Sequence, residues 1–200
     1  PSSINWPIAM GKTRTGLTIF WPDEGLDEGP VLLQKTVEIG PDESLGDVYF
    51  KKLFPMGVDA MLESLDLVKA GVILKHKQDL AAGSYESWFK KDVAELDFSK
   101  TAEALYNTIR AANPAPGAWG SINGVKLDIY DAAKVAGTGK AGAILAINDD
   151  GITIAADHGA ILAKRVRAPG GQKIAATEYA KSAGLKVGDI FDRPAPKPAA

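Results

Sequence analysis

Four carboxylic acids lie close together in residues 21–30, which read WPDEGLDEGP and separate two apolar runs. Unpaired buried carboxylates are costly, so most of these acids must face water. Asp27 differs from the others because Gly25 and Gly29 flank it at two residues on either side. Glycines placed in this way let the backbone turn sharply and let a ligand approach it closely. The loop is therefore either an ordinary surface turn or a site that presents a carboxylate and backbone groups to a flat heterocycle.

Other reactive side chains carry weaker signals. His76 lies between two lysines and His158 lies in a DHG turn, and we expect both to be solvated surface residues. The run GTGKAG at residues 137–142 contains a Gly-Lys pair but lacks P-loop spacing, so a flexible loop is expected there. Ser-His-Asp, HExxH and GxGxxG patterns are missing. The sequence has no cysteine, which excludes disulfides, thiolate metal sites and a cysteine nucleophile.

The densest basic group consists of Lys164, Arg165 and Arg167. It is either a solvated edge strand protected by charge, which we favour, or a ridge that binds a polyanion. Residues 1–117 contain 12 basic and 17 acidic side chains, and residues 118–200 contain 11 basic and 8 acidic ones. This bias is too small to indicate nucleic-acid binding from charge alone.

The overall composition is typical of a soluble globular protein, with 46% apolar and 24% charged residues. No apolar run approaches the roughly 18 residues that would span a bilayer, and the first residues do not resemble a signal peptide. Together with the lack of cysteine, these features predict a cytoplasmic protein without a membrane partner.

The apolar pattern predicts the elements that position the acidic loop. Residues 16–21 and 31–39 are rich in β-branched and aromatic residues, which indicates one strand on either side of it. A short helix should precede the first strand. A longer helix should begin at a capping box formed by Ser44 and Asp47, and Pro55 should kink or divide it.

An irregular segment is expected over residues 72–95, followed by a second helix. Asp97 or Ser99 can cap the start of this helix, and Asn113 must end it because a proline follows. Beyond this point, short apolar strands recur at about ten-residue spacing, which favours a small barrel. A short helix and a closing strand over residues 184–191 should complete it.

The stretch TGLTIFWPDEGLDEGPVLLQ resembles the T-G-x-[TS]-x-x-x-x-D-x-GLDxGP-[IV]-L-x-Q motif of formyltetrahydrofolate-dependent formyltransferases. The similarity continues through LFPMGVDAM, IRAANPAPGAW, NDDGITIAADHG and LKVGDIF, and so covers nearly the whole chain. The resemblance implies an α/β fold in which part of a formyltransferase-type Rossmann-like sheet precedes an OB-like β-barrel domain. The implied parts are the C-terminal part of the catalytic domain (1–112), a linker (113–117), the OB-like domain (118–190) and a Pro/Ala-rich tail (191–200).

The same resemblance implies the roles of the loop residues. Asp27 matches the catalytic aspartate of the GLDxG motif, and 10-formyltetrahydrofolate is the implied co-substrate, with no metal. The backbone before Asp27 corresponds to the part that surrounds the pterin ring of the folate. The residues of this implied binding segment are Trp21, Pro22, Asp23, Glu24, Gly25 and Leu26.

The family's catalytic Asn-x-His pair belongs to a motif, N-x-H-x-S-L-L-P-x-x-R-G, upstream of the stretch matched by SINWPIAMG. This motif is absent from the sequence, so the chain resembles the C-terminal two-thirds of such an enzyme. We expect the chain alone to have negligible activity. It should also be poorly soluble without the missing N-terminal segment, because a partial sheet exposes an edge and apolar surface.

Three functions remain open at this point. The loop sequence and the weak charge favour transfer of the formyl group to water or a small amine, as in the hydrolase domain of formyltetrahydrofolate dehydrogenase. The alternative is methionyl-tRNA formylation, with tRNA bound through Lys164, Arg165 and Arg167. A third possibility is an inactive folate-binding fragment.

Overall fold

The N-terminal part of the chain is built on a β-hairpin, as the computed structural model of residues 2–195 shows. Helix α1 (Asn5–Ala9) precedes strand β1 (Arg14–Phe20), which pairs antiparallel with β2 (Val31–Glu38). The predicted short helix and the two strands around the acidic loop are therefore confirmed. The backbones of β1 and β2 lie close together at Gly16, where a Cβ would be 2.3 Å from the carbonyl oxygen of Lys35.

A helix in three pieces follows the hairpin. The pieces are α2 (Leu45–Val48), a π-helical turn (Tyr49–Leu53) and α3 (Phe54–Lys69). The predicted capping box is present: the Ser44 hydroxyl oxygen accepts from the N–H of Asp47 at 3.2 Å, and the Asp47 carboxylate accepts from the N–H of Ser44 at 3.0 Å. Pro55 lies in the first turn of α3, where a missing N–H is tolerated, so the helix is divided as predicted.

The cap of the next helix, α4 (Ala102–Ala111), corrects the sequence prediction. The Thr101 hydroxyl oxygen caps it by accepting from the N–H of Ala104 at 3.2 Å. Asp97 and Ser99 were expected there, but they bond to each other, with the N–H and hydroxyl of Ser99 donating to Asp97 at 3.0 and 2.6 Å. Their capping groups are used in the turn that precedes the helix.

Polar side chains of α4 attach the loop between β2 and α2 to the rest of the chain. The buried guanidinium of Arg110 donates to the carbonyls of Gly40 and Glu43 at 3.3 and 3.2 Å. The hydroxyl of Tyr106 donates to Asp42 at 2.8 Å. Burial, followed by this hydrogen bond, raises the pKa of Tyr106 to about 12. These contacts fix the hairpin relative to α4.

An antiparallel sheet forms the C-terminal part, in the order β3-β4-β7-β6-β5 with β8 paired to β7. Its members and the helix that follows them are β3 (Ala118–Ile122), β4 (Val125–Val135), β5 (Ile144–Asn148), β6 (Gly151–Ala155), β7 (Ala160–Arg167), β8 (Ile174–Ala175) and α5 (Ala176–Ala183). The expected hairpin at residues 149–151 joins β5 and β6. Ile129, Ile152, Ile154 and Ile161 are completely buried in a core that also contains residues of α1 and α4.

The closing strand expected over residues 184–191 does not form as a regular strand. Gly184 and Gly188 have φ values of 67° and 96°, so the backbone turns twice in this segment and cannot stay extended. This segment and Asp192 nevertheless contact both edges of the sheet: the N–H of Gly188 donates to the carbonyl of Ile144 in β5 at 2.9 Å, and the N–H of Asp192 donates to the carbonyl of Ser121 in β3 at 2.7 Å. Phe191 is buried. The last five residues of the expected Pro/Ala-rich tail, 196–200, lie outside the described residues.

Candidate functional site

The acidic loop spans residues 21–30 at the end of the β1–β2 hairpin, as the sequence predicts. The N–H of Trp21 donates to the carbonyl of Pro30 at 2.9 Å and closes the base of the loop. The ladder shifts register between Ile19 and Phe20, immediately before the loop begins. The loop is thus held at its two ends by the hairpin.

The left-handed residue of this loop is Asp27 itself, with a φ of 58°. Aspartate is among the few residues other than glycine that adopt this conformation. Gly29 is required for a different reason, because a Cβ there would lie 1.9 Å from the carbonyl oxygen of Trp21. At Gly25 a Cβ would meet only the flexible side chain of Glu28, at 2.6 Å. Gly29 is therefore required by the close approach of the Trp21 backbone, and the expected approach of a ligand to these glycines stays a prediction.

Asp27 is exposed and lines an open groove of about 470 Å³. Within residues 2–195 its carboxylate makes no hydrogen bond or ion pair, so it is available to a ligand. The other side of the groove comes from the chain start and from the π-helical turn. Residues lining the groove with Asp27 include Ser3, Ile4, Leu17, Tyr49, Leu53 and Gln78.

Gln78 is a residue of the site that sequence reasoning missed. Its side-chain amide nitrogen donates to the carbonyl of Asp27 at 2.9 Å and to the carbonyl of Gly29 at 2.7 Å. It belongs to the segment predicted to be irregular, which contains a single short 3-10 turn (Leu80–Ala82) between α3 and residue 95. A polar residue in an aperiodic segment gives no pattern, so no sequence signal identified it.

The six residues expected to bind the pterin are not among the residues that line the groove with Asp27. Trp21 is half-buried, and its indole N–H donates to the carbonyl of Leu74 at 2.9 Å. The Asp23 carboxylate accepts from the N–H of Gly25 at 3.0 Å, which shapes the turn. Leu26 is 74% exposed. Pro22, Glu24 and Gly25 are exposed as well.

Both histidines lie on the surface, as expected. The backbone of His76 pairs with Val31 beside β2, through hydrogen bonds of 2.7 and 2.9 Å, while its side chain is exposed. The imidazole of His158 is 87% exposed, with its Nε2 3.6 Å from Asp157. Neither histidine is among the residues that line the Asp27 groove. The structure therefore brings no histidine of the described residues into contact with this groove.

The basic group of β7 is largely paired with acids. Arg167 donates to Asp128 at 2.9 Å, and Asp128 also pairs with Lys91. The Nε of Arg165 lies 3.9 Å from Asp131. Lys164 is exposed. The two arginines therefore offer a polyanion less positive charge than the sequence alone indicates.

The glycine run of residues 137–142 has a packing explanation. A Cβ on Gly137 or Gly139 would lie 2.9 or 2.7 Å from a methyl carbon of Leu145. These glycines leave room for an apolar side chain, as expected for an ordinary loop. Among residues 2–195, no group of histidine, aspartate and glutamate side chains could hold a metal ion, and no helix is long and apolar enough to cross a membrane.

A large apolar surface lies next to the groove. It runs along the π-helical turn and α3 and forms a depression of about 480 Å³. Phe50 is 66% exposed, Phe54 56% and Leu62 57%, although such side chains are normally buried. The residues of this surface, called the α3 apolar face below, are Tyr49, Phe50, Phe54, Val58, Met61, Leu62 and Leu65.

Two family models match the sequence. Residues 2–64 match "Formyl transferase" and residues 89–184 match "Formyl transferase, C-terminal domain". Together they cover most of the chain, including the Asp27 loop and the C-terminal sheet. The chain belongs to the formyltransferase family, whose members are enzymes.

Curated relatives of two kinds share this sequence. The chain is 32% identical over 188 residues to mouse mitochondrial 10-formyltetrahydrofolate dehydrogenase, covering 89% of the chain and 20% of that protein. It is 34% identical over 188 residues to methionyl-tRNA formyltransferase of Trichlorobacter lovleyi, covering 94% of the chain and 59% of that protein. The chain thus spans about three-fifths or less of these relatives.

A solved structure shares the fold. HypX from Aquifex aeolicus in complex with tetrahydrofolic acid superposes with a TM-score of 0.76 at 19% identity, covering 94% of this chain and 33% of that one. The similarity shows that the chain shares its α/β fold with this protein. The helices and the two sheets of the described residues agree with the α/β class inferred from the sequence, while the Rossmann-like sheet and the OB-like barrel stay predictions.

Proposed function

We propose that the chain forms part of an enzyme that moves the formyl group of 10-formyltetrahydrofolate to water or to a small amine. The observation that carries this proposal is the Asp27 carboxylate, which is unpaired within residues 2–195, exposed, and located at the edge of a groove of about 470 Å³ that has room for the formyl group and its acceptor. Family membership supports the reaction class, and the names of both kinds of relative include formyl transfer or a formylated folate.

The proposed reaction passes through a tetrahedral intermediate. Water or an amine attacks the formyl carbon, the carbonyl oxygen becomes an oxyanion, and the bond to N10 of the folate then breaks as N10 takes up a proton. A hydrogen-bond donor must stabilise the oxyanion, and an imidazolium or an amide can do so. Asp27 takes the proton that the nucleophile loses, or keeps a neighbouring imidazole charged by Coulombic attraction. The folate ring is held by backbone groups of the loop, from Trp21 to Leu26.

The donor groups come from a segment of the same enzyme that precedes the residues described here. The α3 apolar face supports this part of the proposal, because exposed apolar patches of this size mark surfaces that another element covers. Its position beside the groove would bring such a segment close to Asp27. The family's Asn-x-His pair supplies the chemistry that Asp27 lacks.

Methionyl-tRNA formylation is the second candidate function. The C-terminal sheet, with residues 188–192 contacting both of its edges, supports an OB-like domain over residues 118–190, linked through residues 113–117 to the catalytic part over residues 1–112. Such domains bind oligonucleotides in other proteins. The ion pairs of Arg165 and Arg167 argue against tRNA, because phosphates would have to displace Asp131 and Asp128. A small acceptor therefore stays the favoured prediction, and a cytoplasmic location stays a separate prediction from the sequence.

Product analysis of the enzyme with its upstream segment separates these functions. With 10-formyltetrahydrofolate, we expect formate in buffer alone or a formylated product with small amines, and no formylmethionyl-tRNA. Formylmethionyl-tRNA as the main product, together with salt-dependent binding of labelled tRNA, would establish the second function. If no acceptor is formylated but the folate still binds, the third possibility, an inactive folate-binding fragment, is the one that remains.

A further inference from the structure

Gln78 connects the segment after α3 to the half of the acidic loop that carries Asp27. Both hydrogens of its side-chain amide have acceptors: the carbonyl of Asp27 at 2.9 Å and that of Gly29 at 2.7 Å. These two carbonyls lie on either side of Glu28. One side chain therefore fixes two points of the same turn.

The location of the Asp27 carboxylate depends on this backbone contact. The carboxylate has no hydrogen bond or ion pair within residues 2–195, so no side-chain contact of its own orients it. Asp27 also has a φ of 58°, a left-handed conformation that residues with a Cβ adopt rarely and that surrounding contacts stabilise. The hydrogen bond from Gln78 to the Asp27 carbonyl is a contact that supports this conformation.

Gln78 is itself held on both sides. Two residues before it, the backbone of His76 makes two hydrogen bonds with Val31, at 2.7 and 2.9 Å. One residue after it, the Asp79 carboxylate accepts from the N–H of Ala81 at 3.1 Å and caps the 3-10 turn. Gln78 is also half-buried, unlike its exposed neighbours Lys77 and Asp79. A residue held in this way can transmit a fixed geometry to the loop.

We propose that Gln78 is the positioning residue of the catalytic carboxylate: it holds Asp27 at the groove through the backbone carbonyls of Asp27 and Gly29. This inference rests on the proposed function. Gln78 does not contact the reacting atoms. Its effect is to keep the carboxylate within the small distance range in which proton transfer is efficient, since a displacement of about 1 Å can lower turnover roughly 100-fold.

The test is a set of three variants in the enzyme with its upstream segment. Gln78→Ala removes both donors, and we expect kcat to fall about 10- to 100-fold while KM for the folate changes much less. Gln78→Glu places a carboxylate against two carbonyl oxygens and should be at least as impaired. Gln78→Asn keeps the amide on a shorter side chain and should recover part of the activity.

Gln172→Ala is the matched control, because Gln172 is an exposed glutamine in the turn before β8, far along the chain from the loop. It should keep the activity of the unaltered enzyme. A second measurement needs no activity: a glutamate-specific protease should cleave the 200-residue chain after Glu28 faster in Gln78→Ala and not in Gln172→Ala, because the loop loses two of its attachments.

The outcomes distinguish failure of the positioning role of Gln78 from failure of the proposed function. An active unaltered enzyme and an equally active Gln78→Ala variant would overturn the positioning role, as would an unchanged rate of cleavage after Glu28. Equal losses in Gln78→Asn and Gln78→Ala, accompanied by a lower melting temperature, would assign Gln78 to general stability and also overturn it. An unaltered enzyme that does not consume 10-formyltetrahydrofolate would instead contradict the proposed function.

Discussion

Apolar side chains are buried in the C-terminal sheet, whereas many are exposed in the N-terminal part that contains the hairpin and α3. In the sheet, Ile152, Ile154 and Ile161 are completely buried between strands and helices. On the α3 apolar face, residues such as Phe54 and Leu62 are more than half exposed. The apolar side chains of the sheet are covered by neighbouring elements, whereas the α3 apolar face is not covered by any of the described residues.

The same contrast appears in the charged residues. In the sheet, Arg167 and Lys91 both pair with Asp128, which is only 13% exposed. In the acidic loop, the carboxylate of Asp27 has no such partner among residues 2–195. Paired groups in the sheet have a structural role, whereas the exposed Asp27 carboxylate beside the groove agrees with the catalytic role proposed for it. The part that contains the acidic loop and the uncovered α3 apolar face is therefore the part to which we assign the chemistry.

The largest expected effect is that of Asp27→Asn in the enzyme with its upstream segment. An amide cannot take a proton from the nucleophile, so kcat should fall roughly 10²- to 10⁴-fold. Folate binding should change far less, because the proposed contacts with the pterin are made by the backbone before Asp27. Steady-state kinetics with a separate folate-binding measurement checks both statements.

Glu28→Gln is the control for this substitution. Glu28 is the adjacent exposed acid, and its replacement removes one negative charge, as Asp27→Asn does. It should leave turnover nearly unchanged. Near-normal turnover of Asp27→Asn would remove Asp27 from the mechanism.

A pair of core and surface substitutions tests the contrast in packing. Ile154→Ala deletes part of a completely buried side chain and should lower the free energy of unfolding by about 2–5 kcal/mol. Leu62→Ala on the α3 apolar face should change it by less than about 0.5 kcal/mol in the 200-residue chain. Urea denaturation of the three proteins measures both values, and equal losses would show that α3 is covered in solution.

A polar substitution on the same face sharpens this comparison. In the 200-residue chain, Leu62→Asp should raise solubility without loss of stability, because the side chain is already 57% exposed. In the enzyme with its upstream segment, the same change should destabilise the protein, since it would bury a charge. Melting temperatures and sedimentation of both forms test this, and similar behaviour in the two forms would contradict the proposed covering.

The smallest expected effect concerns the capping box at the start of α2. The hydrogen bond from Lys51, with those from Ser44, lowers the pKa of Asp47 from 3.8 to about 2. Because folding lowers this pKa, the ionised carboxylate stabilises the fold above pH 4, and this contribution is lost as the pH falls toward 2. Ser44→Ala should cost about 0.5–2 kcal/mol at pH 7.

Urea midpoints at pH 7 and pH 3 test the capping box directly. The unaltered chain should lose more stability between these pH values than Asp47→Asn does, because the variant has no proton to bind at this position. Identical losses would show that the exposed Lys51 and the cap contribute nothing measurable.

The hairpin, the capping box, the division at Pro55 and the β-rich C-terminal part could be predicted because each leaves a local pattern. Alternation indicates strands, a serine followed by an acid three residues later indicates a cap, and a proline interrupts a helix. The cap of α4 was predicted wrongly because Asp97, Ser99 and Thr101 are all suitable in type, and only their mutual contacts decide among them.

The candidate site could be predicted in part. Motif and glycine spacing identified Asp27, but not that Asp27 itself adopts the left-handed conformation. Gln78 lies 51 residues further along the chain, and its contact with the loop follows from tertiary structure alone. The pairing of Arg165 and Arg167 with acids of β4 likewise depends on strand register, which the sequence did not reveal.

The most direct test of the central claim is formyl release from 10-formyltetrahydrofolate by the 200-residue chain, with and without an upstream segment that carries the family's Asn-x-His pair. We expect no turnover above the uncatalysed rate for the chain alone, and turnover that depends on Asp27 once the segment is joined to it. Robust turnover by the chain alone would contradict the claim that Asp27 acts only together with groups outside these residues.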